Sequence, residues 1–415
     1  MIKFTNGIIL DKDFNLVKTD VYVDKNKIVS VGDKELNADR VYDLKGNLLM
    51  PSFKNAHTHS AMTFARSYAD GLPLQEWLTT KIFPLEAKLT GDDIYWLSQL
   101  AFLEYLTSGI TACFDMYYEP DDYVKASVDL GFRSVLCGAV NNFKDSAEQL
   151  ESYYIKYNSI NELISYKLGF HAEYTTSREL MQEIAALGEK YKAPIFVHSS
   201  ETKSEVDGCI ERYGKTPTAL FDELGMFNYG GGAFHSVWVS DNDIEILKNR
   251  GVWAVINAGS NCKLASGIAP VKKMLDKGVN LSVGTDGASS NNSLDMFKEM
   301  FLICATQNID NMDASSIDAE DILKMATIGS AHCMGLYDCD VIDKGKIADL
   351  IVIDLNRPNM RPFNNIKKNI VFSGSKENVL MTMINGKILY DNREFVSADA
   401  ELIYKKSQEI IDRIG

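Results

Sequence analysis

Residues 46–62 read "GNLLMPSFKNAHTHSAM". An apolar run ends in two histidines one residue apart, in a chain with six histidines among 415 residues. Side chains on an extended strand alternate faces with period two, so His57 and His59 project the same way and Thr58 the other. Two scarce imidazoles on one face at a strand end predict that the strand opens onto a site.

Seven more apolar runs follow: "ITACFDM" (110–116), "FRSVLCGAV" (132–140), "YKLGFHAEY" (166–174), "PIFVHSS" (194–200), "GGAFHSV" (231–237), "VWAVINAG" (252–259) and "NLSVGTDG" (280–287). Helical patterns such as "DDIYWLSQLAFLEYLTSG" (92–109) and "SRELMQEIAALGEKY" (177–191) lie between them. Eight strands alternating with helices predict an α/β fold, a distorted (β/α)8 TIM barrel over residues 51–346. Sites on such barrels sit at the C-terminal mouth. Five of the six histidines fall at predicted strand ends: His57 and His59 after strand one, "GNLLMPSF" (46–53), His171 after four, His198 after five and His235 after six. Asp286 follows strand eight.

Both chain ends have a different texture. "FTNGIIL", "VYVDKNKIVSVG" and "RVYDLKGNLLM" alternate β-branched runs with turn residues, and "KIADLIVID", "IKKNIVFSG" and "VLMTMINGKILYD" repeat that texture late in the chain. They predict antiparallel strands of one small β-sandwich domain, residues 1–50 plus 347–415, closed by a C-terminal helix over "DAELIYKKSQEIIDRI".

A net charge of −14 repels phosphate backbones and argues against a nucleic-acid partner. The start shows no secretory pattern, and no run approaches the ~18 apolar residues of a membrane span. Seven scattered cysteines without a C-x-x-C pair suit free thiols in a reducing, cytoplasmic setting. Cys113, Cys137, Cys262 and Cys304 read as packed small hydrophobes. The expected partner is a small-molecule substrate.

His57 and His59 make half a metal site. Imidazole nitrogen suits zinc, iron or nickel, and three protein ligands leave room for water or substrate. His198, ending an apolar strand, is the natural third ligand. Glu201, three residues on, would sit beside a metal-held water as general acid/base. Asp286 could be a helix cap, but Ser289, Ser290 and Asn291 can cap instead, which leaves it for the metal and for a proton. His235 reads as a fourth ligand or, preferably, as a group that orients the water.

These motifs resemble the amidohydrolase superfamily. The matching stretches are "MPSFKNAHTHSAM", "LQEWLTTKIFPLEAKLT", "GFHAEYTTS", "VHSSET", "FHSVWVSDNDI", "SNCKLASGIAPV", "VGTDGASSNNSLDMFKEM" and "KGKIADLIVID". Within it the chain is most similar to the one-metal aminohydrolase branch of methylthioadenosine/S-adenosylhomocysteine deaminases, with triazine chlorohydrolases nearby. The resemblance implies His57, His59, His198 and Asp286 as ligands of one divalent ion, zinc by default and iron as the alternative. It implies Glu201, His235 and Asp286 as catalytic groups, and Trp77, Glu86, His171 and Ser290 as substrate contacts. Where two-metal members end strand four in a modified lysine, this chain has His171, with Lys167 earlier. A homo-oligomer is also implied.

Relatives often carry His-Asn-Pro where this chain reads "INAGSN" (256–261), and an apolar residue where it has Ser199. Arg133 is followed by "SVLCGAVNNF", without the further arginines of adenosine-type members. The expected reaction is hydrolytic deamination of an aminated heterocycle, foremost an adenine nucleoside. Cytosine, guanine, a pterin or a triazine are the same-fold alternatives, and a metal-stabilised binding protein is the non-enzymatic one.

Overall fold

The opening apolar run splits in two. In the computed structural model, which describes every residue except 70 and 73, Leu48–Pro51 pairs in a small outer sheet. After Ser52 the chain re-enters as barrel strand β1, Phe53–Thr58. The expected first strand, 46–53, therefore straddles two sheets, and His57 lies inside a strand rather than after it. Ser52 makes the break with polar contacts on both sides: its hydroxyl meets that of Thr111 at 2.6 Å and donates to the Asp349 carbonyl at 3.0 Å.

The other barrel strands are β2 (Ile110–Met116), β3 (Arg133–Cys137), β4 (Ile164–Ala172), β5 (Ile195–Ser199), β6 (Gly231–His235), β7 (Val252–Ile256) and β8 (Asn280–Val283). All pair in parallel with their chain neighbours, in the order β8 to β1. Between β8 and β1 the closure is made by the Asp286 N–H donating to the His57 carbonyl at 2.9 Å and by Asn55 and Thr285 exchanging hydrogen bonds. Register shifts in β1 complete the distortion.

Burial on every face accounts for the near-continuous apolar runs. Ala56, Phe114, Val135, Phe196, Phe234 and Val255 fill the barrel interior. Phe114 meets Phe196 edge-on at 4.6 Å. The His57 ring stacks on Phe234 at 3.9 Å, so the site above rests directly on this aromatic core. Gly284 permits the close approach of β8: a Cβ there would sit 2.8 Å from the His57 backbone nitrogen.

Helices take the predicted places. Gly91–Thr107 starts at a Thr90–Asp93 capping box, and Arg178–Tyr191 is capped by Ser177. The final helix is Ala400–Ile414, and Arg413 pairs with Asp93 of the 91–107 helix.

The terminal strands form a four-stranded and a seven-stranded sheet sharing a core that includes Phe4, Val21, Leu49, Leu350 and Met381. They are mixed rather than antiparallel. Ile2–Thr5 runs parallel to Arg40–Asp43, and Ile8–Leu10 parallel to Leu48–Pro51. The stretch "IKKNIVFSG" is a helix, Ile366–Phe372, because Asn365 caps it and Ile366, Ile370 and Val371 fall on one buried face. Six of the seven cysteines are buried; Cys262 is exposed, against expectation, because its helix faces solvent there. Among the described residues no helix is long and apolar enough to cross a membrane.

Candidate active site

The predicted histidines reach the mouth from the ends of different strands, with His57 and His59 sharing one. His57 and His59 rise from β1 with ring centroids 4.9 Å apart, His198 from β5 and His235 from β6. The His57 and His198 Nε2 atoms stand 3.1 Å apart. Asp286 Oδ1 lies 3.3 Å from His59 Nε2 and 3.6 Å from His57 Nε2. Two overlapping trios, His57–His198–His235 and His57–His59–Asp286, hold all their donor atoms within 4.8 Å of one another.

The outer ring nitrogens determine which face carries the lone pair. His59 Nδ1 donates to the Met116 carbonyl at 2.6 Å and His198 Nδ1 to the His171 carbonyl at 2.8 Å. His235 Nδ1 donates to Asn261 Oδ1 at 2.8 Å. Their Nε2 lone pairs then face inward, as in metal sites whose ligands are held from behind. His57 Nδ1 is buried without a hydrogen-bond partner among the described residues. Burial, and then the neighbouring imidazoles, hold His57 and His198 well below the usual histidine range. Neutral imidazoles and an ionised carboxylate are the forms that ligate, and spacings of 3.1–3.6 Å suit ligands sharing one ion at ~2.0–2.2 Å. The residues therefore fit a tetrahedral divalent metal.

Asp286 sits in left-handed backbone, φ 60°, as does His235 at 75°. Such strain in non-glycine residues gathers at functional sites. Asp286 Oδ2 accepts from the Ser260 and Ser290 hydroxyls at 2.6 and 2.7 Å, and Oδ1 accepts from the Gly287 N–H. Burial alone would raise its pKa; His59, His235 and the two hydroxyls bring it below the ordinary value. The expected capping by Ser289, Ser290 and Asn291 does not occur, because Gly287 holds the N-cap without a side chain, Ser290 turns back to Asp286 and the Asn291 amide donates to the Thr285 carbonyl.

Glu201 is no part of either trio. Its Oε2 lies 3.7 Å from His235 Nε2, and its Oε1 accepts from the Ser266 hydroxyl at 3.3 Å. Burial pushes this carboxyl up. His235 is raised as well: burial opposes protonation, but Glu201 and Asp286 outweigh it.

A single pocket of about 670 Å³, counting the part open to solvent, joins these groups. His59, His198, Glu201, His235 and Asp286 line it, with His57 buried beneath. Trp77, Glu86, His171 and Ser290 line it too. Trp77 and Glu86 arrive from the short helices Leu74–Trp77 and Phe83–Glu86. Lys167 does not line the pocket; its amine approaches Gly335.

Several supports went unassigned in the sequence reading. Ser260 and Asn261, within the matching "SNCKLASGIAPV", act from the Ala258–Lys263 helix, and their spacing gave no hint of partners on β8 and β6. Glu205 accepts the Ser200 and Glu201 N–H groups on its two oxygens, each at 2.8 Å. Glu299 accepts the Gly259 N–H and the Asn291 amide; a Cβ at Gly259 would come within 2.3 Å of its carboxylate and force the Glu299 and Asn291 side chains to shift. Only a three-dimensional arrangement identifies these acceptors.

Comparison with known proteins agrees with this geometry. The chain matches the amidohydrolase family over residues 48–389. It is 38% identical over 426 residues to a 5-methylthioadenosine/S-adenosylhomocysteine deaminase of Caldanaerobacter subterraneus subsp. tengcongensis, covering 99% of this chain and 98% of that one. It superposes on a zinc-bound adenosine deaminase from Xanthomonas campestris with a TM-score of 0.95 at 28% identity, covering 100% of this chain and 98% of the other. A zinc-complexed atrazine chlorohydrolase from Arthrobacter aurescens shares the fold, with a TM-score of 0.91 at 21% identity over 99% of this chain and 100% of the other. With the family match spanning most of its length and a relative this similar end to end, the chain belongs to the amidohydrolase family.

Proposed function

We propose that the protein is a metal-dependent hydrolytic deaminase that removes ammonia from an adenine nucleoside such as adenosine, 5′-methylthioadenosine or S-adenosylhomocysteine. The observation that carries this reading is a buried glutamate outside the ligand cluster, Glu201, facing the same pocket as a metal-fit set of imidazoles and Asp286. The names of the similar deaminases support the substrate class.

We assign His57, His59, His198 and Asp286 to one divalent ion, zinc first and iron second. Such an ion would lower the pKa of a water from 15.7 toward ~7. Glu201, whose carboxyl burial pushes up, donates a proton to a ring nitrogen and makes the amino-bearing carbon electrophilic. Asp286 and His235 orient the attacking water and take up its proton. A C–O bond forms, Asp286 passes its proton to the leaving nitrogen, the C–N bond breaks, and Glu201, left ionised by its donation to the ring, takes the hydroxyl proton as the C=O bond forms. Water and the amine are consumed; the oxo-heterocycle and ammonia result. Trp77, Glu86, His171 and Ser290 hold the substrate in this assignment.

We further divide the chain into a β-sandwich domain, 1–50 with 347–415, and a catalytic barrel, 51–346. We expect a homo-oligomer in a reducing compartment. An ammonia-release assay over adenosine, 5′-methylthioadenosine, S-adenosylhomocysteine, cytosine and guanine, with metal analysis of the same sample, tests the reading. Turnover of adenine nucleosides that is lost on chelation and restored by zinc is expected. Turnover of a base or a triazine alone would replace it with a same-fold alternative. No turnover at full metal loading would favour a binding protein.

A further inference from the structure

Apart from its imidazoles and the assigned ion, the pocket lining is acidic or uncharged. Three carboxylates line it, Glu86, Glu201 and Asp286, and among the described residues no lysine or arginine does. The two residues outside the description, Asp70 and Pro73, are not cations either. Much of the remaining wall is aromatic or thioether-bearing, including Trp77, Phe83, Met116 and Tyr118. Glu86 already accepts from the Tyr117 hydroxyl at 2.7 Å.

Cations near this wall already have other partners. Lys144, in the segment after β3, lays its ammonium 4.2 Å from the Tyr118 ring centroid and 3.5 Å from Glu119. Lys263 donates to the Ser289 carbonyl and Asn292 Oδ1 at 2.9 and 2.7 Å. Arg66 pairs with Glu104 at 2.6 Å and donates to the Asn292 carbonyl.

We propose that the pocket selects adenine nucleosides with an uncharged, apolar 5′ substituent, as in 5′-methylthioadenosine, over those bearing a carboxylate, as in S-adenosylhomocysteine. This rests on the adenine-nucleoside reading above. With the assigned ion turned to the heterocycle, a carboxylate on the 5′ substituent leaves water for a wall that offers it no lysine or arginine among the described residues. A methylthio group instead buries apolar surface against aromatic and sulfur-bearing walls.

The test compares kcat/KM for the two nucleosides and for the methyl ester of S-adenosylhomocysteine, on metal-loaded, full-length protein. The free acid should be poorer than 5′-methylthioadenosine by about tenfold or more, and the ester should recover most of that loss. Phe83→Arg, at a half-exposed mouth position, should narrow the gap by raising the value for the acid. Equal values for acid and 5′-methylthioadenosine overturn the proposal alone. An ester as poor as the acid also overturns it, because size rather than charge would then discriminate. No ammonia from any nucleoside overturns the deaminase reading and this proposal with it.

Discussion

Strand β1 carries buried ionisable groups at both ends, and the two ends treat them in opposite ways. At its start, the Lys54 amine donates to the Ser52 and Thr111 hydroxyls, each at 2.7 Å, and lies 3.6 Å from Asp349. Arg133 closes on the same carboxylate with two bonds, at 2.8 and 3.1 Å, and the Asn385 N–H adds a third at 2.8 Å. Burial alone would raise the Asp349 pKa, but Arg133 and Lys54 hold it below the ordinary value. The cluster is complementary and internally complete, and it ties the barrel floor to the segment leading into the outer sheet. At the other end of β1, imidazoles face imidazoles. Among the described residues no lysine or arginine meets their inward nitrogens, and their shared burial keeps two of them neutral. A buried polar cluster satisfied by its own members serves cohesion. One whose acceptors converge without a donor is built around something it does not itself supply.

The largest expected effect bears on the mouth. Glu201→Gln should lower kcat by about 10²–10⁴-fold while bound metal and thermal midpoint stay unchanged. A Gln variant with normal turnover would strip the mouth of its acid/base and break the contrast. Next is the floor. Asp349→Ala leaves Arg133 and Lys54 uncompensated and should cost about 3–5 kcal/mol in urea unfolding, with kcat per folded molecule unchanged. Replacing all three charges by apolar side chains should recover much of that stability, which sharpens the view that the floor is structural.

A third prediction concerns pH. Burial pushes Glu299 up to about 7 from an ordinary 4.5. Between those values the native protein keeps a proton that the unfolded chain has released. Stability should therefore fall as pH rises through this window, by up to ~3 kcal/mol from this residue. Unfolding curves from pH 5 to 7.5 should be flatter for Glu299→Gln; an unchanged slope would show that the carboxyl titrates normally. The smallest effect is at the support of Asp286. Ser260→Ala removes one of its donors and should lower kcat/KM about tenfold without loss of metal. Loss of metal together with activity would move Ser260 into holding the ion's ligand rather than tuning its basicity.

Much of this was legible in residue order. The barrel was readable because strands buried on both faces form short apolar runs at regular intervals, and the strand-end histidines stood out by scarcity. The helix at Ile366–Phe372 was misread because β-branched residues favour strands locally, while its capping Asn365 and its packing face decide for helix. The parallel pairings near the chain ends were missed because partners some 30–40 residues apart leave no local signal. Tyr117, Glu205, Asn261 and Glu299 were passed over because a buried donor or acceptor looks like any other polar residue until its partner is in place.

By itself the sequence determined the strand–helix alternation, the family resemblance and the identity of the inward-facing donors, since periodicity and rare residues act over a few positions. Tertiary structure alone decided which nitrogens face one another, that Asp286 comes to the β1 histidines through a seam bond, and that no lysine or arginine among the described residues enters the pocket wall. Those are relations between groups as much as 229 residues apart, between His57 and Asp286, and only closure of the barrel sets their distances.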